Sequence, residues 1–336
     1  MRTRVLLLFG GQSSEHEVSL AGAANVFAAL DDQKYDISLG YIDKSGKWYL
    51  VPDIDPDHTN CPQLVPVLGT SRFVTMPEGT ILQADVILPI LHGKNGEDGT
   101  VQGLAKLLHV PMVGPSILGA SLTMDKALTK TVLMATDVPV IDGVTWLTAD
   151  EKPDYGELVA RLGEVLFVKP ANAGSSVGVS KVSMADEFAA ALTLAAEHDD
   201  KVLIERAIIG REVEVAVLGN GQPSTSQPGE IKANADFYNY DAKYDPSSQA
   251  EIIVPAELDE ATTKRLRELS SRAYRATAGH GMARVDFLID EQGQAYVMEI
   301  NSIPGFTNIS MYPKLWRERG MSYPALLDKL IELALE

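Results

Sequence analysis

A single cysteine, Cys61, occurs in 336 residues. No internal disulfide can form, which favours a reducing compartment and predicts a cytoplasmic protein. Positive charge is also scarce. Lys and Arg number 29 against 46 Asp and Glu, a net charge of −17, which argues against nucleic acid or an anionic membrane surface as partner. Any site for an anionic substrate must then gather its own cations, so isolated lysines in glycine-rich contexts stand out. No apolar run approaches membrane-spanning length. The start, Met1-Arg2-Thr3-Arg4, carries the charge of an export signal, but the apolar run at residues 5–9 is too short and ends in Gly10-Gly11. It predicts a first β-strand. There is no internal repeat and no low-complexity tract. What the chain does have is 45% apolar residues, enough to fill two or three domain cores.

The strongest pattern lies at residues 283–301. Val285, Phe287 and Ile289 alternate with Arg284, Asp286 and Leu288, and alternation resumes from Ala295 to Asn301 after Glu291-Gln292-Gly293-Gln294. Period-2 runs around a short glycine-containing loop predict a β-hairpin. A loop that sets Asp290 opposite Ala295 places Asp286 opposite Glu299 and Arg284 opposite Asn301. All four polar groups then share one face, with Val285, Phe287, Met298 and Ile300 on the other. Facing carboxylates repel, and a bound cation removes the difficulty. Asp, Glu and Asn offer hard oxygen ligands, which suit Mg²⁺ bridging phosphates rather than zinc. The alternative is a solvent-facing hairpin whose charges only keep it soluble. The turn Ser302-Ile303-Pro304-Gly305-Phe306-Thr307 brings backbone N–H groups near Arg284, a pairing suited to developing charge on oxygen.

Upstream, strand signals at residues 5–9, 37–42, 47–51 and 85–91 alternate with helical ones at 19–30 and 100–108. This predicts an α/β layer with a largely parallel sheet, whose strand ends bind ligands. Two loops fall at those ends: Gly10-Gly11-Gln12-Ser13-Ser14-Glu15-His16-Glu17, which lacks G-x-G-x-x-G spacing, and His92-Gly93-Lys94-Asn95-Gly96-Glu97-Asp98-Gly99. A helical segment from Thr123 to about Ala135 follows a boundary near 119–121. Next, Leu166-Phe167-Val168-Lys169-Pro170, a loop Ala171-Asn172-Ala173-Gly174-Ser175-Ser176-Val177-Gly178, and Val179-Ser180-Lys181-Val182 predict strand, loop, strand. No G-K-[ST] follows, so it is not a Walker A loop. Its amides can still wrap phosphate oxygens, and Lys169 ending an apolar strand requires an anion or a cleft. The alternative is an ordinary flexible turn. Strands at 202–205 and 212–217 come next. Residues 222–256 predict a long polar loop whose block Phe237-Tyr238-Asn239-Tyr240-Asp241-Ala242-Lys243-Tyr244 suits a water-excluding lid. Residues 257–278 predict an amphipathic helix with Leu258, Leu266, Leu269 and Ala273 inward. A last helix begins near Ser322 or Tyr323 and turns Leu326, Leu327, Leu330 and Ile331 inward.

Together the motifs at residues 10–19, 92–99, 169–178, 237–244 and 284–310 resemble the ATP-grasp superfamily and, within it, the D-alanine–D-alanine ligase family. The resemblance implies an α/β (α+β) ATP-grasp fold of three domains: 1–120 with a mainly parallel sheet, 121–204, and 205–336 with lid and metal site. ATP would lie between two antiparallel sheets. Lys126, Lys169, Ser175, Ser176, Val177, Glu205, Glu212, Phe237, Lys243 and Asn301 would bind it, Glu205 at the adenine hinge and Glu212 on the ribose. Asp286, Glu299 and Asn301 would hold two Mg²⁺ or Mn²⁺ ions. Glu15 would orient the first D-alanine's ammonium, with His92 nearby, and Ser310 would bind the second's carboxylate. Arg284 and the Gly305 amide would hold the oxyanion, while Tyr244 would bond toward Ser175 and Glu15. The implied partners are D-alanine and ATP, in a homodimer. Residues 206–209 lack the aromatic of some relatives. Competing expectations are ligation of D-alanine to D-lactate, against which Tyr244 speaks, another ATP-grasp ligase, and a non-catalytic ATP-binding sensor.

Overall fold

The computed structural model describes residues 2–54, 57–232 and 251–336. Three sheets organise them. The first has seven strands in the order β6-β5-β4-β3-β2-β1-β7. These are β1 (Thr3–Gly10), β2 (Tyr35–Ile42), β3 (Trp48–Val51), β4 (Gln63–Val67), β5 (Arg72–Met76), β6 (Ile81–Gln83) and β7 (Val86–Ile90). The expectation of a mainly parallel sheet is corrected here. Only the β1–β2 and β1–β7 pairs are parallel, and every other pair is antiparallel. The reason is connection length. β1 reaches β2 through the helix α1 (His16–Ala29), whereas β2 to β3 and β5 to β6 are joined by loops of a few residues, and only antiparallel neighbours can be joined so tightly. Strands β4 to β6 carry no clean alternation: Pro66 interrupts β4, and Val65, Met76 and Ile81 are exposed.

The second sheet, in the order β10-β9-β11-β8, is wholly antiparallel. It contains β8 (Gly143–Leu147), β9 (Leu166–Pro170), β10 (Ser180–Val182) and β11 (Lys201–Arg206). Helices Tyr155–Leu162 and Ala185–Ala196 cover one face through Leu158, Phe188 and Leu192, packed on Leu166, Val168, Val202 and Ile204.

The third sheet, also antiparallel, runs β15-β14-β12-β16-β17, with β13 on β12. Its strands are β12 (Gly210–Leu218), β13 (Ser224–Thr225), β14 (Gly229–Lys232), β15 (Glu251–Ile253), β16 (Met282–Asp290) and β17 (Ala295–Asn301). The stretch expected to be one long polar loop thus contributes three strands. The lid calls Phe237, Lys243 and Tyr244 lie outside the described residues. Val213, Val215, Val285, Phe287 and Ile289 turn one face of this sheet toward Leu266, Leu269 and Ala273 of the helix Glu260–Ala276. That helix starts later than its pattern suggests because Asp259 caps it, accepting from the Thr262 N–H at 2.8 Å.

The hairpin β16–β17 holds its expected register at the functional end. Asp286 faces Glu299, and Arg284 faces Asn301. Toward the tip Ile289 pairs with Ala295, one residue out of the expected register, and a bulge at Met298 absorbs the difference. The bulge also corrects one inward residue. Val297 is buried in the core while Met298 is only half-buried, since an extra residue reverses which side chain faces inward.

The last two helices, Met311–Glu318 and Tyr323–Leu335, pack against the first sheet rather than the third alone. Leu326, Leu327, Leu330 and Ile331 join Val5, Leu7, Phe9 and Val26 in one core. Ser322 caps the final helix, with Pro324 in its first turn. The chain's two ends are therefore bound into one hydrophobic unit, which fixes the 302–310 turn against the N-terminal loops.

Candidate active site

Loops and strands from distant parts of the chain converge on one cavity of about 200 Å³. Its walls include Glu15, His92, Glu97, Lys126, Ser175, Glu214, Arg284, Glu299, Asn301, Gly305 and Ser310. Of the fifteen residues singled out in the sequence that are described, nine thus share one space. Asp286 lies directly behind Arg284 and Asn301. Lys169 and Glu205 lie off the cavity wall, joined to each other. Ser176 and Val177 continue the loop after Ser175. Glu212 sits farther along β12, opposite Leu288 and Ile231, on the same face as Glu214.

The first loop is held from below. Ser19 Oγ accepts from the Gly10 N–H at 2.7 Å and donates to the Ile90 carbonyl, tying β1, α1 and β7 together. Glu15 then projects between two other loops. Ser175 donates its hydroxyl to Glu15 Oε1 at 2.5 Å. A methyl group on Gly174 would stand 3.0 Å from Glu15 Oε2, and one on Gly93 would stand 3.1 Å away. Both glycine-rich loops therefore need their glycines where they meet this carboxylate. Ser175 and Ser176 adopt φ of +50° and +59°, consecutive left-handed residues that are costly for side chains other than glycine. Strain of that kind is concentrated at functional loops.

On the opposite wall, Arg284 bonds both oxygens of Asp286, Nε to Oδ1 at 2.7 Å and Nη2 to Oδ2 at 2.6 Å. It also reaches Glu214 at 3.0 Å. Burial works against a charged guanidinium, but Asp286, Glu214 and Glu299 together hold Arg284 well above its ordinary range. The repulsion expected between facing carboxylates is thus partly offset by the protein's own arginine. Lys126 adds a second cation, 3.7 Å from Glu299 and donating to the Ala173 carbonyl at 2.7 Å. Asn301 donates to Asp286 Oδ2 at 2.9 Å, which leaves its carbonyl oxygen as the group able to meet a cation. Among the described residues no cluster of three or more His, Cys, Asp and Glu forms a metal cage. A site of two carboxylates and one amide oxygen fits a hard cation whose remaining ligands come from phosphate and water.

His92 and Glu97 clasp the backbone of one residue. The Ile303 N–H donates to Glu97 Oε1 at 3.2 Å, and the Ile303 carbonyl lies 3.2 Å from His92 Nδ1. A carbonyl only accepts, so Nδ1 carries the proton and Nε2, buried without a hydrogen-bond partner among the described residues, is left as an acceptor. Burial lowers the His92 pKa and so keeps the ring neutral. Burial, and next the nearby Glu15 charge, push Glu97 up to about 8. On the far side, Ser310 Oγ accepts from the Thr307 N–H at 3.0 Å. A methyl on Gly305 would come within 2.6 Å of that oxygen.

Three residues without an assigned role in the sequence reading emerge. Glu97 was visible only as part of a loop. Glu214 becomes meaningful through its pairing with Asp286 across β12 and β16, a long-range register that no local pattern encodes. Lys130 stands one helical turn after Lys126, and that spacing was the available signal.

Models of the D-ala D-ala ligase N-terminus and C-terminus match residues 4–115 and 132–332 respectively. A D-alanine–D-alanine ligase of Sodalis glossinidius is 47% identical over 99% of this chain and 95% of its own length. The D-alanine-D-alanine ligase structure from Coxiella burnetii superposes with a TM-score of 0.90 at 39% identity, covering 99% of this chain and 94% of that one. The VanG D-Ala:D-Ser ligase of Enterococcus faecalis superposes with a TM-score of 0.91 at 35% identity, covering 99% and 100%. The fold and its relatives define an ATP-dependent, ADP-forming ligase of ATP-grasp architecture. This chain belongs to the D-alanine–D-alanine ligase family, and the non-catalytic sensor reading falls.

Proposed function

We propose that the enzyme joins two D-alanine molecules through an acyl phosphate, supplying D-alanyl-D-alanine for peptidoglycan precursors in the cytoplasm. One observation carries this reading: an anchor for an ammonium, Glu15 held by Ser175, shares a single cavity with two groups suited to an oxyanion, Arg284 and Gly305. In this assignment ATP lies between the second and third sheets, within units 121–204 and 205–336, while unit 1–120 brings the amino acid loops. Lys126, Lys169 and the amides of Ser175, Ser176 and Val177 meet the phosphates. Glu212 takes the ribose.

The first D-alanine is oriented by Glu15 and accepted by His92. Its carboxylate oxygen attacks the γ-phosphorus, the bond to the β-phosphate oxygen breaks, and ADP leaves. Asp286, Glu299 and Asn301 would hold two divalent ions, which supply charge neutralisation on the transferred group. The second D-alanine, its carboxylate on Ser310, passes an ammonium proton to a phosphate oxygen or to the Glu15–Ser175 pair and attacks the acyl carbon through its amine. Arg284 and the Gly305 N–H hold the resulting oxyanion, and its collapse expels inorganic phosphate. Tyr244 and Lys243, which lie outside the described residues, would complete the first subsite. A homodimer is part of the same proposal.

The test is ADP release with ATP, Mg²⁺ and D-alanine. One ADP per dipeptide is expected, and no D-alanine-dependent ADP would overturn the reading. D-serine and D-lactate, offered as second substrates at several pH values, test specificity. Preferential depsipeptide formation would replace the dipeptide assignment with the hydroxy-acid one.

A further inference from the structure

Behind the cavity, Glu205 is almost fully enclosed at 2% exposure, and it carries two lysines. Lys169 lies 2.5 Å from one carboxylate oxygen, and Lys130 is in ion-pair contact with the other. Lys130 is itself 6% exposed. Burying one carboxylate with two ammonium groups leaves a net positive charge in a low-dielectric setting, a costly arrangement unless an anion completes it. The same helix face also carries Lys126 one turn earlier, and like charges at that spacing disfavour the helix. Three lysines thus converge against Glu205 and Glu299. Lys169 and Lys126 flank the strained 171–178 loop, which Lys126 grips at the Ala173 carbonyl. Lys130 is farther back, and its place is filled by Glu205 rather than by open space.

We infer that Lys130 is a positioning residue for nucleotide phosphates, acting through Glu205 on Lys169. With Lys130 on one oxygen, Glu205 holds Lys169 by the other alone, and the ammonium of Lys169 stays available to a phosphate. Without Lys130, Glu205 and Lys169 form a neutral, two-oxygen pair that withdraws the lysine from the ligand. Glu205 on this account orders the lysines that meet the phosphates. The inference rests on the ATP reading given above.

The experiment measures Kd for ATP, ADP and adenosine on the parent, Lys130→Met, Lys130→Arg, Lys169→Met and the Lys130→Met/Lys169→Met double variant. Lys130→Met should weaken ATP and ADP roughly ten- to hundredfold, the scale of one buried charge-assisted contact. Adenosine binding and the KM for D-alanine should hold. Lys130→Arg should recover most of the loss. Because Lys130 acts through Lys169, the double variant should be about as weak as Lys169→Met alone. Additive losses, equal weakening of adenosine, or normal ATP binding by Lys130→Met would each overturn the inference. Lys130→Gln, which retains an N–H for Glu205, takes the place of the methionine variant if that one does not fold. A parent that binds ATP no better than adenosine would instead sink the nucleotide reading itself.

Discussion

Arg284 clamps Asp286 through two parallel hydrogen bonds although the residues stand only two positions apart on one strand. Side chains at that spacing share a face, and a guanidinium's planar fork is the group that can hold a carboxylate so closely and still extend to Glu214. Removing it should leave two buried acids, Asp286 and Glu214, without that counter-charge. Arg284→Ala is expected to lose roughly 10²–10³ in kcat, the scale of one oxyanion donor, while ATP still binds. Lysine should restore little, because it is a point charge without the fork. Unchanged ligation by the alanine variant in a steady-state assay would remove Arg284 from the oxyanion role.

Glu299 meets Lys126 at 3.7 Å and faces Asp286 across the ribbon. If both carboxylates hold divalent ions, Glu299→Gln should raise the Mg²⁺ concentration needed for half-maximal rate by at least about tenfold, one lost charged ligand being worth over 1.4 kcal/mol. A Mg²⁺ titration identical to the parent's would count against the metal assignment.

Gly174 is a steric prediction. A methyl group there meets Glu15 Oε2 at 3.0 Å, tighter than ordinary van der Waals contact. Gly174→Ala should therefore displace the Glu15–Ser175 pair and raise the KM for D-alanine several-fold. Thermal stability should change little, since substitutions outside the core typically stay within about 0.5 kcal/mol. A normal KM would show that Glu15 does not need its present place.

Glu97 supplies a pH dependence of stability. Its carboxyl, ordinarily near 4.5, is raised to about 8 by burial and by the Glu15 charge. Between those values the folded chain keeps a proton that the unfolded chain has released. Its stabilising contribution is therefore complete below about 4.5 and falls as pH rises, ending above about 8. Urea midpoints should decline across this interval more steeply in the parent than in Glu97→Gln, which carries no titrating group there. Parallel profiles would refute the assignment.

How far the sequence could be read depended on the range of each interaction. The β16–β17 ribbon was legible because alternation and a short loop are local, and the facing of Asp286 and Glu299 followed from them. The bulge at Met298 was not, because a one-residue slip leaves the composition of the strand unchanged. Parallel order was overestimated in the first sheet, since the strands β4 to β6 are short and partly exposed and looked like connector. The glycine loops announced a site by density alone, but only folding shows that Gly93 and Gly174 both back onto Glu15. Glu214 was out of reach, and Lys130 offered only its one-turn spacing from Lys126. Each takes its meaning from a partner on an element distant in the chain, Asp286 on β16 and Glu205 on β11.

The irregularity at Met298 lies between the acidic end of the ribbon and its tip. All of β16 keeps one register against β12, where Glu214 opposes Asp286, while β17 shifts by one residue on passing Met298. Changes in loop length at Glu291 and Gln292, which are exposed, can be absorbed there before they reach the acidic groups. A short reporter peptide threaded into that tip should leave turnover intact, which makes it a natural handle for immobilising or labelling the enzyme.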